Sequence, residues 1–83
     1  MSVDLNRVKR IKITEAVEAS QSYNSKWDLG CRLWIKMGKT ASPEHIRNQM
    51  SKWDLGHTVP NVDTLYCMAQ VLGCTMEDLI ESK

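Results

Sequence analysis

Cysteine and histidine are the first residue types in this sequence that could bind a metal or carry out redox chemistry. The number of cysteines is odd, there is no CxxC motif, and no secretory hydrophobic segment precedes them, so a disulfide framework is not expected. A zinc site built from cysteine and histidine would lack the usual ligand spacing. The favoured interpretation is buried free thiols in a reduced, cytoplasmic protein that holds no metal. The residues concerned are Cys31, Cys67, Cys74, His45 and His57.

The sequence also lacks the residue combinations on which enzymes depend. It has no histidine and carboxylate at a defined spacing, no glycine-rich phosphate loop and no nucleophile elbow. Ser51 is a nucleophile by type, but no base is evident for it. A chain of 83 residues buries one small core and leaves little room for an enclosed substrate pocket. We therefore expect a protein that is not an enzyme and that needs no cofactor.

Charge gives a weaker indication of partners. The net charge of +1 excludes a basic surface over the whole molecule but allows a local basic patch. Four of the eleven basic residues fall in the segment NRVKRIK (residues 6–12). That segment could contact phosphates, but Val8 and Ile11 recur in it at helical spacing, which favours a solvated helix face. No apolar stretch approaches the roughly 20 residues that cross a membrane, so a soluble protein is expected.

The candidate functional side chains must be positioned by helices, because apolar residues recur at helical spacing and glycine and proline are few. A first helix is predicted from Val3 to about Ser22, although Ile11 and Ile13 leave a short strand possible there. The second is predicted over Lys26 to about Met37, and the third over residues 43 to about 54. A fourth helix and a short fifth helix ending near Lys83 complete an all-α, compact five-helix bundle, a single domain spanning residues 1–83.

Residues suited to helix ends bound four of these segments. A serine, asparagine or threonine precedes each one, where its side chain can accept a hydrogen bond from a free amide. Proline at the first helical position and an acid in the first turn strengthen the start of the third helix. Glycine ends three of them. The predicted N-caps are Ser25, Ser42, Asn61 and Thr75, and the predicted C-terminal glycines are Gly38, Gly56 and Gly73.

The hexapeptide SKWDLG occurs twice, at Ser25–Gly30 and at Ser51–Gly56. A structural repeat should carry its hydrophobic pattern across the whole repeating unit. Outside the hexapeptide, a shift of 26 residues aligns few identical residues, among them Thr14 with Thr40 and Glu18 with Glu44. The first copy is predicted to open a helix and the second to close one, so a solenoid is rejected.

From Met50 onward the chain reads MSKWDLGHTVPNVDTLYCMAQVLGCTMEDLI. This segment resembles the C-terminal half of the lambda repressor/Cro-like (XRE-type) helix-turn-helix domain. The elements that carry the resemblance are Met50, Ser51, Lys52, Trp53, Asp54, Gly56, Pro60, Thr64, Leu65, Ala69, Leu72, Gly73, Thr75, Asp78 and Leu79. The resemblance implies that the third helix is a recognition helix placed in the major groove of DNA.

The N-terminal half is less similar to that family. SKWDLGCRLW can be laid over the family's second helix, with Ser25 as cap, Leu29 and Leu33 in the core, and Gly30 where two helices cross. The family has a turn of about four residues before the recognition helix. Here IKMGKTASPEHI is several residues longer, so either the turn is enlarged or the recognition helix begins a turn early, at Ser42-Pro43.

The resemblance also implies a set of DNA contacts on the third helix. Positions two and three before the buried Met50, and two after it, would reach base edges. Arginine suits the O6/N7 edge of guanine, asparagine the N6/N7 edge of adenine, and lysine a guanine or a phosphate. The implied base contacts are Asn48, Arg47 and Lys52, and the implied backbone contacts are Gln49, Ser51, His57, Thr58 and Asn61. Composition alone favours a solvated helix face, because any exposed helix carries arginine, asparagine and lysine somewhere.

The three tryptophans offer another nucleic-acid interpretation, a stacking platform for single strands. The family pattern places Trp53 in the core, and Trp34 is expected there too. Trp27 follows the cap of the second helix directly, and its burial is left open.

Together these features predict a small bacterial or phage transcriptional regulator that binds double-stranded DNA sequence-specifically, without a cofactor. Such domains usually act as two-fold dimers on palindromic operators. Leu79 and Ile80 of the last helix are the expected dimer interface. The alternative is a protein-interaction module on the same fold, such as an anti-repressor, a modulator of a partner regulator or an antitoxin-like subunit. Near-neutral charge, Glu44 on the predicted reading face and the longer turn favour that alternative.

Overall fold

The computed structural model of the protein describes residues 4–20 and 22–83. A short 3-10 helix (Leu5–Arg7) leads into strand β1 (Val8–Ile11) and helix α1 (Ile13–Ser20). Helices α2 (Lys26–Met37), α3 (Pro43–Leu55) and α4 (Val62–Leu72) follow. Helix α5 (Met76–Leu79) and strand β2 (Ile80–Ser82) close the chain. The protein is therefore mostly helical, with a small sheet that makes the all-α description incomplete.

The two strands pair as an antiparallel ribbon that joins the ends of the described chain. Ile11 lies opposite Ile80, and the register is irregular between Val8 and Arg10. The predicted helix from residue 3 to 22 is therefore wrong, because its first half is a 3-10 turn and a strand. Val3, where that helix was expected to begin, lies outside the described residues. The last helix is also shorter than predicted, because the chain leaves it after Leu79 and forms β2.

The β-branched side chains of these segments explain the difference. Val8, Ile11 and Ile80 fit a pleated surface well and lose rotamer freedom in a helix. Val8 and Ile11 are buried. The spacing of Val8 and Ile11 suits a helix, since residues three apart point to opposite faces of a regular strand, and β1 buries both across its irregular register. The choice of a strand here depends on a partner strand at the other end of the chain. Local pattern carries no information about that partner.

The caps predicted from the sequence are confirmed. The side chains of four residues accept hydrogen bonds from amides in the first turns of α2, α3, α4 and α5: Ser25, Ser42, Asn61 and Thr75. In α5, the carboxylate of Asp78 accepts a hydrogen bond from the amide of the cap, Thr75, and completes a capping box. Three glycines end α2, α3 and α4 with positive φ angles: Gly38, Gly56 and Gly73. Local sequence therefore determined the bounds of α2, α3 and α4.

One hydrophobic core draws on β1 and all five α-helices. The side chains at its centre are fully buried: Ile11, Ile13, Leu29, Leu33, Met50, Leu65, Met68 and Leu79. Helix α2 packs against both α3 and α4. The segment that joins α2 to α3 is residues 38–42, since α3 begins at Pro43, the earlier of the two starts considered. Among the described residues, no helix is both long and apolar enough to span a membrane.

Candidate nucleic-acid interface on helix α3

Helix α3 divides its side chains between a buried face and an exposed face. Its buried residues are Ile46, Met50, Trp53 and Asp54. The three side chains expected to reach base edges are all exposed: Arg47, Asn48 and Lys52. Gln49 and Ser51, expected to contact phosphates, are half-buried. At about 100° per residue, Asn48 lies between Arg47 and Lys52 around the helix. These three side chains can therefore approach one surface together.

The exposed face is not purely basic. Glu44 is exposed in the first turn of α3, and Leu55 is 66% exposed at its C-terminal end. Helical spacing places Glu44, Asn48 and Leu55 close to one line along the helix. Glu44 stabilises the helix through its favourable position at the positive end of the helix dipole. The same carboxylate would repel a phosphate that came near the start of α3.

The residues after α3 present side chains rather than amides to a ligand. The amides of His57 and Thr58 both donate to the carbonyl of Lys52, at 2.9 and 3.5 Å. The side-chain oxygen of Asn61 accepts from the amide of Thr64 at 2.8 Å. His57, Thr58 and Asn61 are exposed. Any phosphate contact by His57 or Thr58 would therefore come from the imidazole or the hydroxyl.

Gly30 of α2 sets how closely α2 and α3 approach. It is buried, and a Cβ atom built on it would lie 2.7 Å from Ile46 Cγ2 and 3.0 Å from Met50 Cγ. These distances are shorter than carbon atoms tolerate, so a larger residue would push α3 away from α2. The prediction that Gly30 is the small residue where two helices cross is confirmed.

The burial of Trp27, which the sequence left open, is intermediate. Its side chain is half-buried at the start of α2 and packs against the core. Lys26 Nζ lies 4.9 Å from the Trp27 ring centroid, and Arg47 Cζ lies 5.9 Å from it. Both distances are within the range of cation–π attraction. Trp27 therefore draws the Arg47 guanidinium toward α2 at one edge of the exposed face.

The other two tryptophans are packed against each other, so they are poorly placed to stack on bases. Trp34 and Trp53 are each 7% exposed, and their rings stack with centroids 5.8 Å apart and an interplanar angle of 20°. His45 meets Trp34 edge-on, with centroids 6.2 Å apart. The expectation that Trp34 and Trp53 belong to the core is confirmed, and this histidine packs beside them as an exposed residue.

Asp54 has a role in this site that was not predicted from the sequence. It is 8% exposed, and its carboxylate accepts hydrogen bonds from the Thr14 hydroxyl (2.8 Å) and amide (3.2 Å). Arg10 Nη2 lies 3.2 Å from one carboxylate oxygen, and Lys26 Nζ lies 3.3 Å from the other. Arg10 Nε also donates to the Asp54 carbonyl at 2.7 Å. The carboxylate therefore ties β1, α1 and α2 to the end of α3.

Two further carboxylates, those of Glu15 and Glu81, also contact Arg10. Its guanidinium makes a bidentate pair with Glu15, with both distances 2.8 Å, and a longer contact of 3.2 Å with Glu81 of β2. The hydrogen bond to Glu15 is the main cause that raises the pKa of Arg10 and lowers that of Glu15. Burial raises the pKa of Asp54, but hydrogen bonds from Thr14 and Lys26 outweigh it and leave that pKa below its ordinary value. All three groups are thus held in their charged forms.

A sequence signal for this network existed. A carboxylate in the last turn of a helix lies at the negative end of the helix dipole, where it is unfavourable unless a cation compensates it. Asp54 occupies that position in α3, one residue after the buried Trp53. What the sequence did not reveal is that its partners, Arg10 and Lys26, are more than 25 residues away.

The thiols and the histidines do not assemble into a metal site in the part of the chain that the structure describes. Among residues 4–20 and 22–83, no group of three or more His, Cys, Asp or Glu side chains is arranged so that it could hold a metal ion. The prediction that the thiols are buried is wrong for Cys31, which is exposed on α2, whereas Cys67 and Cys74 are half-buried free thiols. Burial raises the pKa of the Cys74 thiol, and the charge of Asp78 acts in the same direction. A thiol with a raised pKa is a poor nucleophile at neutral pH.

The chain matches no protein-family model, no curated protein and no solved structure at a significant level. The resemblance to the lambda repressor/Cro-like domain therefore stays a prediction from the sequence. The predicted dimer interface also stays a prediction, and its two residues differ in location. Leu79 is fully buried in the chain's own core, whereas Ile80 is partly exposed in β2. Of the two, only Ile80 offers side-chain surface to a partner.

Proposed function

We propose that the protein binds double-stranded DNA sequence-specifically through the exposed face of α3, as a small transcriptional regulator. The observation that carries the proposal is the shared exposure of Arg47, Asn48 and Lys52 on one helix whose opposite face is buried. These side-chain types can read guanine and adenine edges and neutralise phosphates in a groove wide enough for a helix.

The anchoring of α3 supports this proposal. A helix that reads bases must be held in a fixed orientation, because direct readout depends on positions accurate to a fraction of an ångström. The Gly30 contact fixes the depth at which α3 packs on α2, and Asp54 fixes its C-terminal end. Trp27 limits the positions of Arg47. The exposed face of α3 therefore belongs to a helix that the rest of the fold holds rigidly.

The proposal is tested by fluorescence anisotropy with random-sequence and selected duplexes at several salt concentrations. Binding to phosphates predicts that log K falls with log salt with a slope of several units. Arg47→Ala should cost about 1–3 kcal/mol at one base position, and Lys52→Ala should weaken binding and reduce the salt slope by about one unit. Arg7→Ala is the matched control, because that exposed arginine lies in the 3-10 helix and should leave affinity nearly unchanged. Absence of binding at low salt, or an equal loss for Arg7→Ala, would contradict the proposal.

The second candidate is a protein-interaction module, favoured by the exposed Leu55 and by Glu44 on the same face. An apolar side chain beside an acid suits a protein partner better than a phosphate backbone. Glu44→Gln separates the two candidates. It should tighten DNA binding if α3 enters a groove, since a repulsive charge is removed, and it should leave duplex affinity undetectable if the face binds protein alone.

A further inference from the structure

Helix α2 carries an apolar side chain on the side that faces away from the core. Ile35 is 73% exposed, the highest value among the large hydrophobic residues that are exposed. Three exposed basic residues flank it: Arg32, Lys36 and Lys39. Within residues 4–20 and 22–83, none of these three forms an ion pair. This surface, Ile35 with its three basic neighbours, is the α2 knob.

Helices α4 and α5 form a surface of the opposite kind. An open groove of about 450 Å³ runs between them and is lined by apolar atoms of Val62, Tyr66 and Met76. Val62 is 39% exposed and Tyr66 is 52% exposed, and Gln70 donates to the Tyr66 hydroxyl at 2.9 Å and orients it. Two exposed acids, Asp63 and Glu77, also line the groove. This surface is the α4–α5 groove.

The two acids of the groove are free to meet an incoming charge. In the described part of the chain, neither Asp63 nor Glu77 takes part in an ion pair. No basic residue lines the groove. Its apolar floor would therefore be covered best by an aliphatic side chain with positive charges beside it. The α2 knob has that composition, and it is present on every copy of the chain.

We propose that the α2 knob of one molecule docks in the α4–α5 groove of a second copy of this chain. Ile35 would cover Tyr66 and Val62, while the basic neighbours would face Asp63 and Glu77. Because the two surfaces differ, the contact pairs unlike faces, and in a head-to-tail arrangement that does not close into a ring each added molecule leaves one knob and one groove free. This assembly differs from the two-fold dimer expected from the sequence and does not depend on DNA binding.

Analytical ultracentrifugation without DNA tests this proposal. The weight-average mass of the wild-type protein should rise with concentration up to about 1 mM, the range in which small polar interfaces associate, and should fall as salt is added. Ile35→Asp and Tyr66→Lys should each be monomeric over the same range. Asn24→Asp is the matched control, because it introduces the same acid at an exposed position outside the knob, the groove and the α3 face, and it should not alter association. Thermal unfolding near the wild-type midpoint establishes that each variant is folded.

Mixing the two monomeric variants distinguishes a contact between knob and groove from a contact between two like surfaces. The Tyr66→Lys variant keeps an intact knob and the Ile35→Asp variant keeps an intact groove, so the mixture should form a dimer and nothing larger. A mixture that stays monomeric while the wild type associates would overturn the proposal. A wild-type protein that is monomeric at every concentration, or an Asn24→Asp variant that is as monomeric as Ile35→Asp, would also overturn it.

Discussion

Lys26 and Asp54 form an ion pair, with Nζ 3.3 Å from Oδ2, and each comes from a different copy of SKWDLG. The same six residues therefore supply the cation from one copy and the anion from the other. The remaining residues also differ in role. Gly30 is buried inside α2, whereas Gly56 ends α3 with a φ of 82°. One string serves two structural purposes because its surroundings differ.

Asp54→Asn should destabilise the fold by about 2 kcal/mol, because it weakens charged hydrogen bonds that are largely shielded from water. Asp28→Asn is the matched control, since Asp28 is the equivalent residue of the first copy and is only half-buried. That change should cost less than about 1 kcal/mol, the value of a charge in the first turn of a helix. Urea unfolding of both variants measures the difference. Equal losses would mean that the network around Asp54 adds nothing.

Stability should fall as the pH drops into the acid range. The pKa values of Asp54 and Glu15 are lower in the folded protein than their ordinary values, so the unfolded chain binds protons first as pH decreases. Their contribution is complete above about pH 5 and is lost as pH falls through about 4 toward the folded-state pKa values. Unfolding free energies measured between pH 7 and pH 3 should show this slope. The slope should be smaller for Asp54→Asn, and an unchanged slope would contradict the assignment.

Gly30→Ala should destabilise the protein although alanine is the better helix former. The added methyl group would overlap Ile46 Cγ2, and such overpacking costs about 1–3 kcal/mol, more than the gain of roughly 1 kcal/mol in helix propensity. Ile46→Ala in the same chain should recover part of the loss by opening space. Double-mutant analysis of thermal unfolding tests the coupling. Strict additivity of the two changes would show that the methyl group does not meet Ile46.

Trp27 and Trp53, the tryptophans of the two SKWDLG copies, should differ in their contribution to stability. Trp53→Ala should cost about 3–5 kcal/mol, because Trp53 is buried and stacked on Trp34. Trp27→Ala should cost about 1–2 kcal/mol, since the Trp27 ring is only half-buried. Chemical denaturation of both variants gives the comparison. If Trp27→Ala cost as much as Trp53→Ala, the partial exposure of Trp27 would have to be reconsidered.

Much of the candidate site was predictable from the sequence. The exposure of Arg47, Asn48 and Lys52 follows from helical geometry once Ser42 and Pro43 mark the start of α3 and Met50 is placed in the core. The half-burial of Trp27 did not follow, because it depends on Arg47, which reaches the ring from a different helix. The role of Asp54 likewise needed two cations from distant parts of the chain.

The sequence by itself determined the helices whose ends are set by capping residues close to them in the chain. Ser25, Asn61 and Gly38 act within a few residues of themselves, so hydrogen-bond caps and positive φ angles can be read without knowing the fold. Only the tertiary structure decided that residues 8–11 form a strand and that residues 80–82 pair with it. The physical reason is that strand pairing and buried ion pairs join residues that are far apart in the chain, and the free energy of such contacts depends on what the whole fold brings together.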